Sequence, residues 1–398
     1  MKLTAAHLLS VPVTFRIALA RILYSQHIFV QLSDPASDLT GTGEGVLYRA
    51  KPHIAGALLA RQVRPALEAL SPQFDRDVWR DQLRQWAATE PGVAYALDSA
   101  WLDLQARREG CTVAQWLGGP ARQSVPVTEQ LFIAGGAALD RQLDEILRRG
   151  TRHLKLKIGS NPESDVALVR QVRERVRPAV ELRVDANHAY TWPAAASLYR
   201  RLAELGVRAF EEPLQVRDWS GLRALRRELG VPVILDESIL TLEQLQAAIA
   251  AEAIDLLNVK LTRVGGITLA QEYIELCSRH GIGVLIGCTE DLGIGTAAIL
   301  HLATALPACD SMEGLGPQRL GLDVAAPPWQ ICDGALTLPA GPGLGVELAP
   351  NWLDRLPRRV KHFDLLRPDL RLRLFSEGSR LQQRVENVRV RLTRRLGR

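Results

Sequence analysis

From residue 125 the chain repeats one pattern: a short apolar run, then a longer stretch whose apolar positions recur at helical spacing. The runs are VPVTEQL (125–131), HLKLKI (153–158), ELRVDA (181–186), VRAFEE (207–212), VPVILDE (231–237), IDLLNVK (254–260), GVLIGCT (283–289) and CDSMEG (309–314). Between them lie ESDVALVRQVRERVR, WPAAASLYRRLAEL, WSGLRALRREL and LEQLQAAIAA, whose charges fill the face that the apolar residues leave. Strands that alternate with helices imply parallel pairing. Eight such units, nearly continuous in apolar character, predict an α/β fold, a closed (β/α)8-type barrel.

Residues 1–124 are patterned differently. IFVQLSDP and GTGEGVLYRA read as strands with a turn between them. HIAGALLARQVRPALEAL, DRDVWRDQLRQWAA and AYALDSAWLDLQARREG read as helices. The organisation predicted is an N-terminal α+β capping domain (1–124), a barrel (125–320), a Pro- and Gly-rich segment packing back on the capping domain (321–357), and a basic extension (358–398). In the extension, RLRLRLF and RVENVRVRL alternate basic with apolar residues, which predicts strands or a docked arm. The glycines of GTGEGV are not a dinucleotide fingerprint, because their spacing is wrong and no strand-to-helix unit surrounds them.

Composition narrows the class. The 398 residues are 47% hydrophobic and 23% charged, as in a soluble globular protein with a large core. No apolar run approaches the ~18–20 residues of a membrane span, and the start lacks a signal-peptide pattern. No membrane partner is expected. The five cysteines, Cys111, Cys277, Cys288, Cys309 and Cys332, show neither metal-ligand spacing nor a disulfide framework, which points to a reducing cytoplasm. The net charge of +5 is local. Residues 358–398 hold 13 Lys and Arg against 4 Asp and Glu, a balance of +9 that leaves −4 on the other 357 residues. No aromatic interleaving or nucleic-acid motif accompanies this tail, so nucleic acid is not an expected partner. An arm packing on a neighbouring subunit or on the acidic body is expected instead.

Charged residues gather at the C-terminal ends of the predicted strands, where a barrel of this kind keeps its chemistry. In order they are Lys155 and Lys157, Asp185, Glu211, Asp236, Lys260, Asp291 and Glu313, with steps of 30, 26, 25 and 24 residues from Lys155 to Lys260. One charge per unit at one end of a barrel makes a ring. Three clustered carboxylates, Asp185, Glu211 and Asp236, repel one another and lose hydration. A hard divalent cation removes that objection, and oxygen ligands favour Mg2+, with Mn2+ as a substitute. Lys155 and Lys157 sit two apart and share a strand face. A partly buried lysine beside another cation has a lowered pKa, so Lys155 is expected to depress Lys157 into the range of a general base. The metal would stabilise the enolate formed when a proton leaves the carbon next to a carboxylate.

The motifs KLK, VDAN, FEEP, LDES and NVKLTRVGGI, in this order, resemble the enolase superfamily and within it the mandelate racemase/muconate lactonizing enzyme family, over roughly residues 1–357. The subgroups most resembled are muconate cycloisomerases, dipeptide epimerases, N-acylamino acid racemases and o-succinylbenzoate synthases. The resemblance implies Asp185, Glu211 and Asp236 as metal ligands, with Glu212 outside the ligand set. It implies Lys157 as the base on one substrate face and Lys260 as the acid/base on the other, with Lys155 and Asn187 in supporting positions. It also implies a small-molecule carboxylate substrate, a homo-oligomer, and a lid within residues 13–24 (VTFRIALARILY). Two places depart from relatives. After the seventh strand GCTEDLGIG places Asp291, with Glu290 beside it, where relatives have a glutamate. At the eighth, Ser311-Met312-Glu313 carries one acid where dipeptide epimerases have Asp-x-Asp. Asp291 and Glu313 are therefore candidate substrate contacts. The implied activity is a Mg2+-dependent isomerase acting through an enolate: a racemase, an epimerase or a muconate-type cycloisomerase. An o-succinylbenzoate synthase-type or sugar-acid dehydratase lyase, and a non-catalytic homologue with a nucleic-acid-binding tail, are the alternatives.

Overall fold

The structure, a computed structural model, describes residues 1–16, 21–47, 52–70, 75–132, 136–314, 316–367 and 370–396. Its larger sheet has seven strands hydrogen-bonded in chain order: Thr128–Leu131, His153–Lys157, Glu181–Asp185, Val207–Glu211, Val233–Leu235, Leu256–Lys260 and Gly283–Gly287. All six pairings are parallel. Helices follow the strands and close over them. Val166, Val169 and Val172, or Leu222 and Leu225, form the buried stripe of each helix. Side-chain caps start these helices promptly after the strand ends: Asn161 accepts from the Ser164 amide at 2.9 Å and Asp218 from the Gly221 amide at 3.0 Å.

The eighth expected strand, CDSMEG, is not a strand. Only Met312 pairs there, bridging to Val127 on one side and Ile286 on the other. Its amide donates to the Pro126 carbonyl at 3.0 Å and its carbonyl accepts from Thr128 at 2.8 Å, while the Glu313 amide donates to Ile286 at 2.9 Å. These bonds close the curled sheet. Pro307 ahead of the segment, Gly314 at its end, and Gly316 and Pro317 behind it leave no β-branched run that could extend the pairing.

The capping sheet has four strands in the order Lys361–Asp364, Lys2–Arg16, Arg21–Ser33, Thr40–Val46. Its first strand is a regular element where the sequence reading placed none. Helix Pro91–Arg108 lies against Thr40–Val46, and GTGEGV is what lets it approach. A Cβ on Gly41, Gly43 or Gly45 would collide with the carbonyl of Ala100, Ala96 or Gly92 respectively. The segment expected as a lid, residues 13–24, is described only at its flanks. Residues 13–16 and 21–24 are the ends of two paired strands, and residues 17–20 lie outside the described residues.

The basic extension corrects the strand expectation. It contributes one short strand, Lys361–Asp364, and then a helix, Leu370–Leu396. Arg, Leu and Gln are strong helix formers, and the alternation in RLRLRLF is too brief to outweigh them. The helix docks on the capping domain of its own chain. Tyr24 donates to Gln382 at 2.7 Å, the Leu23 amide donates to Gln383 at 3.0 Å, and Ser376 and His53 share a hydrogen bond of 2.8 Å. The segment before it also packs on the capping domain, with the Leu344 amide donating to Asp103 at 2.7 Å. All five cysteines are free thiols. Among the described residues no helix is long and apolar enough to cross a membrane.

Candidate active site

The strand register assembles the site. Lys157, Asp185 and Glu211 are lateral partners across the second, third and fourth barrel strands. Asp236 follows the fifth strand directly, and Lys260 ends the sixth. Residues two apart share a face, so Lys155 lies behind Lys157, Arg183 behind Asp185, and Asn258 behind Lys260. Lys155, Asp185 and Glu211 have no exposed surface, and Asp236 has 1%.

Cations and anions alternate. Lys155 Nζ stands 2.9 Å from Glu211 Oε1, 2.6 Å from Glu313 Oε1 and 3.6 Å from Asp185 Oδ2. Lys157 donates to Asp185 and, at 3.3 Å, to Asn187 Oδ1. Lys260 donates to Asp236 at 2.7 Å, and Arg263 donates to the same carboxylate. Arg183 donates to Glu313, and Asn258 donates to Glu211 at 3.1 Å. Sequence reading missed Arg183, Asn258 and Arg263. The first two were recoverable from strand alternation, two residues before Asp185 and Lys260. Arg263 carries no such signal, because it reaches Asp236 from the turn after the sixth strand.

These pairings raise two of the lysines, Lys155 and Lys260. Burial works against the Lys155 ammonium, but Glu211 and Glu313 outweigh it and hold the group above its ordinary value. Burial opposes the Lys260 charge as well, and Asp236 outweighs it. Asp236 is held well below the usual carboxylate range, against its own burial, by Arg263 and Lys260. Glu313 is held low against burial by Lys155 and Arg183. Burial raises Glu211, with Lys155 opposing.

Asn187 lies two residues past the end of the third barrel strand. Its amide donates to Asp185 at 2.9 Å and its side chain donates to Glu237 at 2.7 Å. Glu212 points away from the trio and brackets the next loop, accepting from the amides of Asp236 at 2.6 Å and Ser238 at 2.7 Å. Asp291 is not brought into the ring. It accepts from the Thr289 amide at 2.8 Å and faces the capping domain, where burial and Glu44 push its pKa up to about 6. Glu44 itself accepts from the amides of Leu292 at 2.6 Å and Gly295 at 2.8 Å. Asp291 thus belongs to the seam between cap and barrel.

The donor set fits a divalent cation. Asp185, Glu211 and Asp236 offer hard oxygens from three adjacent strand ends. Glu211 Oε2 is moreover buried without a hydrogen-bond partner, a state that a cation would relieve. A neighbouring group, His188, Glu212 and Glu237, brings its ligand atoms within 4.8 Å of one another.

A family model described as "Enolase C-terminal domain-like" matches residues 138–352. An N-succinylamino acid racemase of Amycolatopsis is 36% identical over 268 residues, covering 66% of this chain and 70% of the relative. Muconate cycloisomerase 1 of Rhodococcus opacus is 32% identical over 326 residues, covering 79% of this chain and 86% of the relative. The crystal structure of an N-succinyl Arg/Lys racemase from Bacillus cereus superposes with a TM-score of 0.77 at 25% identity, over 91% of this chain and 100% of that one.

Proposed function

Because the chain belongs to the enolase C-terminal domain-like family, in the mandelate racemase/muconate lactonizing enzyme branch of the enolase superfamily, we propose that it is a metal-dependent isomerase that removes the α-proton of a small carboxylate substrate. The observation that carries this reading is the placement of two lysines. Lys157 ends the second barrel strand and Lys260 the sixth, and in a ring of eight positions these stand on opposite walls. A substrate carbon between them meets an amine on each face. Lys157 takes the proton from one face and Lys260 returns one to the other, which is racemisation or epimerisation. In a cycloisomerisation one lysine moves the proton and the other serves as a fixed positive charge.

Asp185, Glu211 and Asp236 would hold the cation, which we take to be Mg2+. When bound, it supplies positive charge opposite the enolate oxygens. Lys155 and Arg183 share Glu211 and Glu313 and so fix the carboxylate wall beneath the reacting carbon. Asn187 orients Lys157 through the 3.3 Å contact. Five free thiols agree with a reducing cytoplasm as the place of action.

The test is α-deuterium uptake in D2O with Mg2+, offered pooled N-acyl amino acids, dipeptides, muconolactones and o-succinylbenzoate precursors. Uptake in one pool, abolished by excess chelator, lost from one enantiomer in Lys157→Ala and from the other in Lys260→Ala, is the expected result. Uptake that survives when both lysines are substituted together would sink the assignment.

A further inference from the structure

Helix Leu370–Leu396 grips the capping domain largely with its polar side. Leu372 and Ser376 are buried in that contact, Ser376 shares its hydrogen bond with His53, and Gln383 accepts from the Leu23 amide. Glu386 accepts from Arg21 at 3.3 Å. Leu374 and Leu381, by contrast, are 59% and 65% exposed, the two large hydrophobic side chains most open to solvent among the described residues. A surface helix ordinarily turns its apolar stripe toward the core. This one turns it away.

In sequence the stripe is longer than two leucines. Leu374, Gly378, Leu381, Val385, Val388 and Leu392 follow one another at steps of 4, 3, 4, 3 and 4. At about 100° per residue these positions fall within an arc of about 80°, and the docked positions 372, 376, 379 and 383 centre on the other side of the helix. Alternating threes and fours in so narrow a stripe make the seam of a coiled coil. A helix that lies on a lipid surface carries a broader apolar face with aromatic residues, and this stripe has none. Gly378 fits the same reading. Glycine weakens a helix interior, and a Cβ at this position would meet nothing within 4 Å. Nothing in the chain itself requires a glycine there, whereas a second helix approaching the seam would have room to close in.

The steps read the same in both directions. An antiparallel copy of the helix therefore sets apolar positions on apolar positions: 374 against 392, 378 against 388, 381 against 385. Charges beside the seam choose this orientation. In it Glu377 comes beside the second copy's Arg391, twice by symmetry, and one like-charged contact remains, Arg384 with its own copy at the axis. A parallel pair sets Arg384 beside the second copy's Arg389 twice and brings no opposite charges together. The cap holds the other side of each helix, so two chains meet seam to seam with their capping domains outermost. The helix has 27 residues, about 40 Å of length, which accommodates the whole seam from 374 to 392. Such a contact is isologous, each copy offering the same face.

We propose that the outward face of helix Leu370–Leu396 is a two-fold, antiparallel interface with a second copy of this chain. The experiment is analytical ultracentrifugation of the full chain over a wide concentration range. Wild type is expected to form a particle of at least twice the mass of the Leu374→Gln/Leu381→Gln variant. Both leucines are open to solvent in the single chain, so that variant should fold with a melting temperature little changed at dilution. Leu381→Gln alone should raise the dissociation constant at least ~tenfold, because each copy loses a buried leucine. Glu377→Arg and Arg391→Glu should each weaken association at least ~tenfold by setting like charges together at two symmetric places. The Glu377→Arg/Arg391→Glu double variant should recover most of the loss. The two residues stand nearly four turns apart on one helix, so only a contact between copies produces that rescue. Equal mass for wild type and the double-glutamine variant, or a charge-swapped protein no tighter than the single reversals, overturns the proposal. A full chain that stays unassociated while it binds phosphatidylserine vesicles or an acidic amphipathic peptide also overturns it, and gives the stripe to that partner.

Discussion

Lys155 and Glu313 stand 2.6 Å apart, both fully buried, and their contact runs from the second barrel strand to the single-residue seam at the eighth position. Removing one partner of a buried pair leaves the other charge uncompensated. Lys155→Met is therefore expected to destabilise the fold by about 3–5 kcal/mol, measured as a shift in the urea midpoint at constant slope. Lys155→Met combined with Glu313→Gln should recover part of that loss. A double variant no more stable than Lys155→Met would show that the two residues do not act as a pair.

The opposed lysines predict a stereochemical split. Lys157→Ala should lose α-deuterium exchange from one enantiomer of a racemised substrate by ~10²–10⁴-fold while the other enantiomer still exchanges. Lys260→Ala should show the mirror behaviour. Chiral chromatography of the exchanged pool, followed by mass spectrometry, separates the two. Equal losses for both enantiomers in both variants would exclude two independent proton carriers.

Asp291 predicts a pH dependence in stability. Its pKa is raised from 3.8 to about 6 by burial and by Glu44, with His27 and the Thr289 amide opposing and Tyr95 packed alongside. A carboxyl group with a raised folded-state pKa binds its proton more tightly when folded. Its stabilising contribution is complete below the unfolded value and is lost as pH rises through about 6. Asp291→Asn keeps an oxygen for the Thr289 amide and cannot titrate. Relative to wild type it should gain stability between pH 4 and pH 7, by up to roughly 3 kcal/mol, since each tenfold difference in proton affinity between folded and unfolded chains is worth about 1.36 kcal/mol. Asp323, also raised to about 6, titrates in both proteins and cancels in the comparison. Parallel stability curves from denaturant titrations across that range would refute the assignment.

Two truncations separate the roles of the tail. Ending the chain at residue 367 removes helix Leu370–Leu396 and its contacts with His53, Leu23 and Tyr24. Ending it at residue 357 also removes strand Lys361–Asp364, which pairs with residues 7–10 of the first capping strand. The shorter protein is expected to melt several degrees below the longer one, since a lost strand pairing exposes ladder amides as well as apolar surface. Hydrogen exchange at residues 21–24 should rise in both. Unchanged exchange there would mean that the helix does not brace the hairpin.

Much of the site was legible because strand chemistry is periodic. Lys155 and Lys157 announced a face by their spacing, and Asp185, Glu211, Asp236 and Lys260 announced strand ends by theirs. The same alternation pointed to Arg183 and Asn258, but only once the neighbouring register was known. Asp291 misled because a residue just past a strand end can turn either into the mouth or toward the cap, and the Thr289 amide and the Glu44 bracket decide that only in three dimensions. The short eighth position was hidden for a related reason. CDSMEG has the length of a strand, yet the proline and glycines around it restrict pairing to Met312. In the tail, a brief alternation competed with helix-forming residues over a longer span and lost. The purpose of the glycines in GTGEGV emerges only against the helix they admit.

The Met312 closure is the thinnest hydrogen-bonded join in the barrel wall. The seven strands pair edge to edge in one sheet, and strands two to six carry the residues assigned to proton transfer and charge. The seventh and first strands are joined through one residue, Met312. Substitutions or insertions on this side disturb few sheet hydrogen bonds and leave the lysines and carboxylates in register. A chain built in this way can exchange one recognition surface for another while its reactive centre stays where it is.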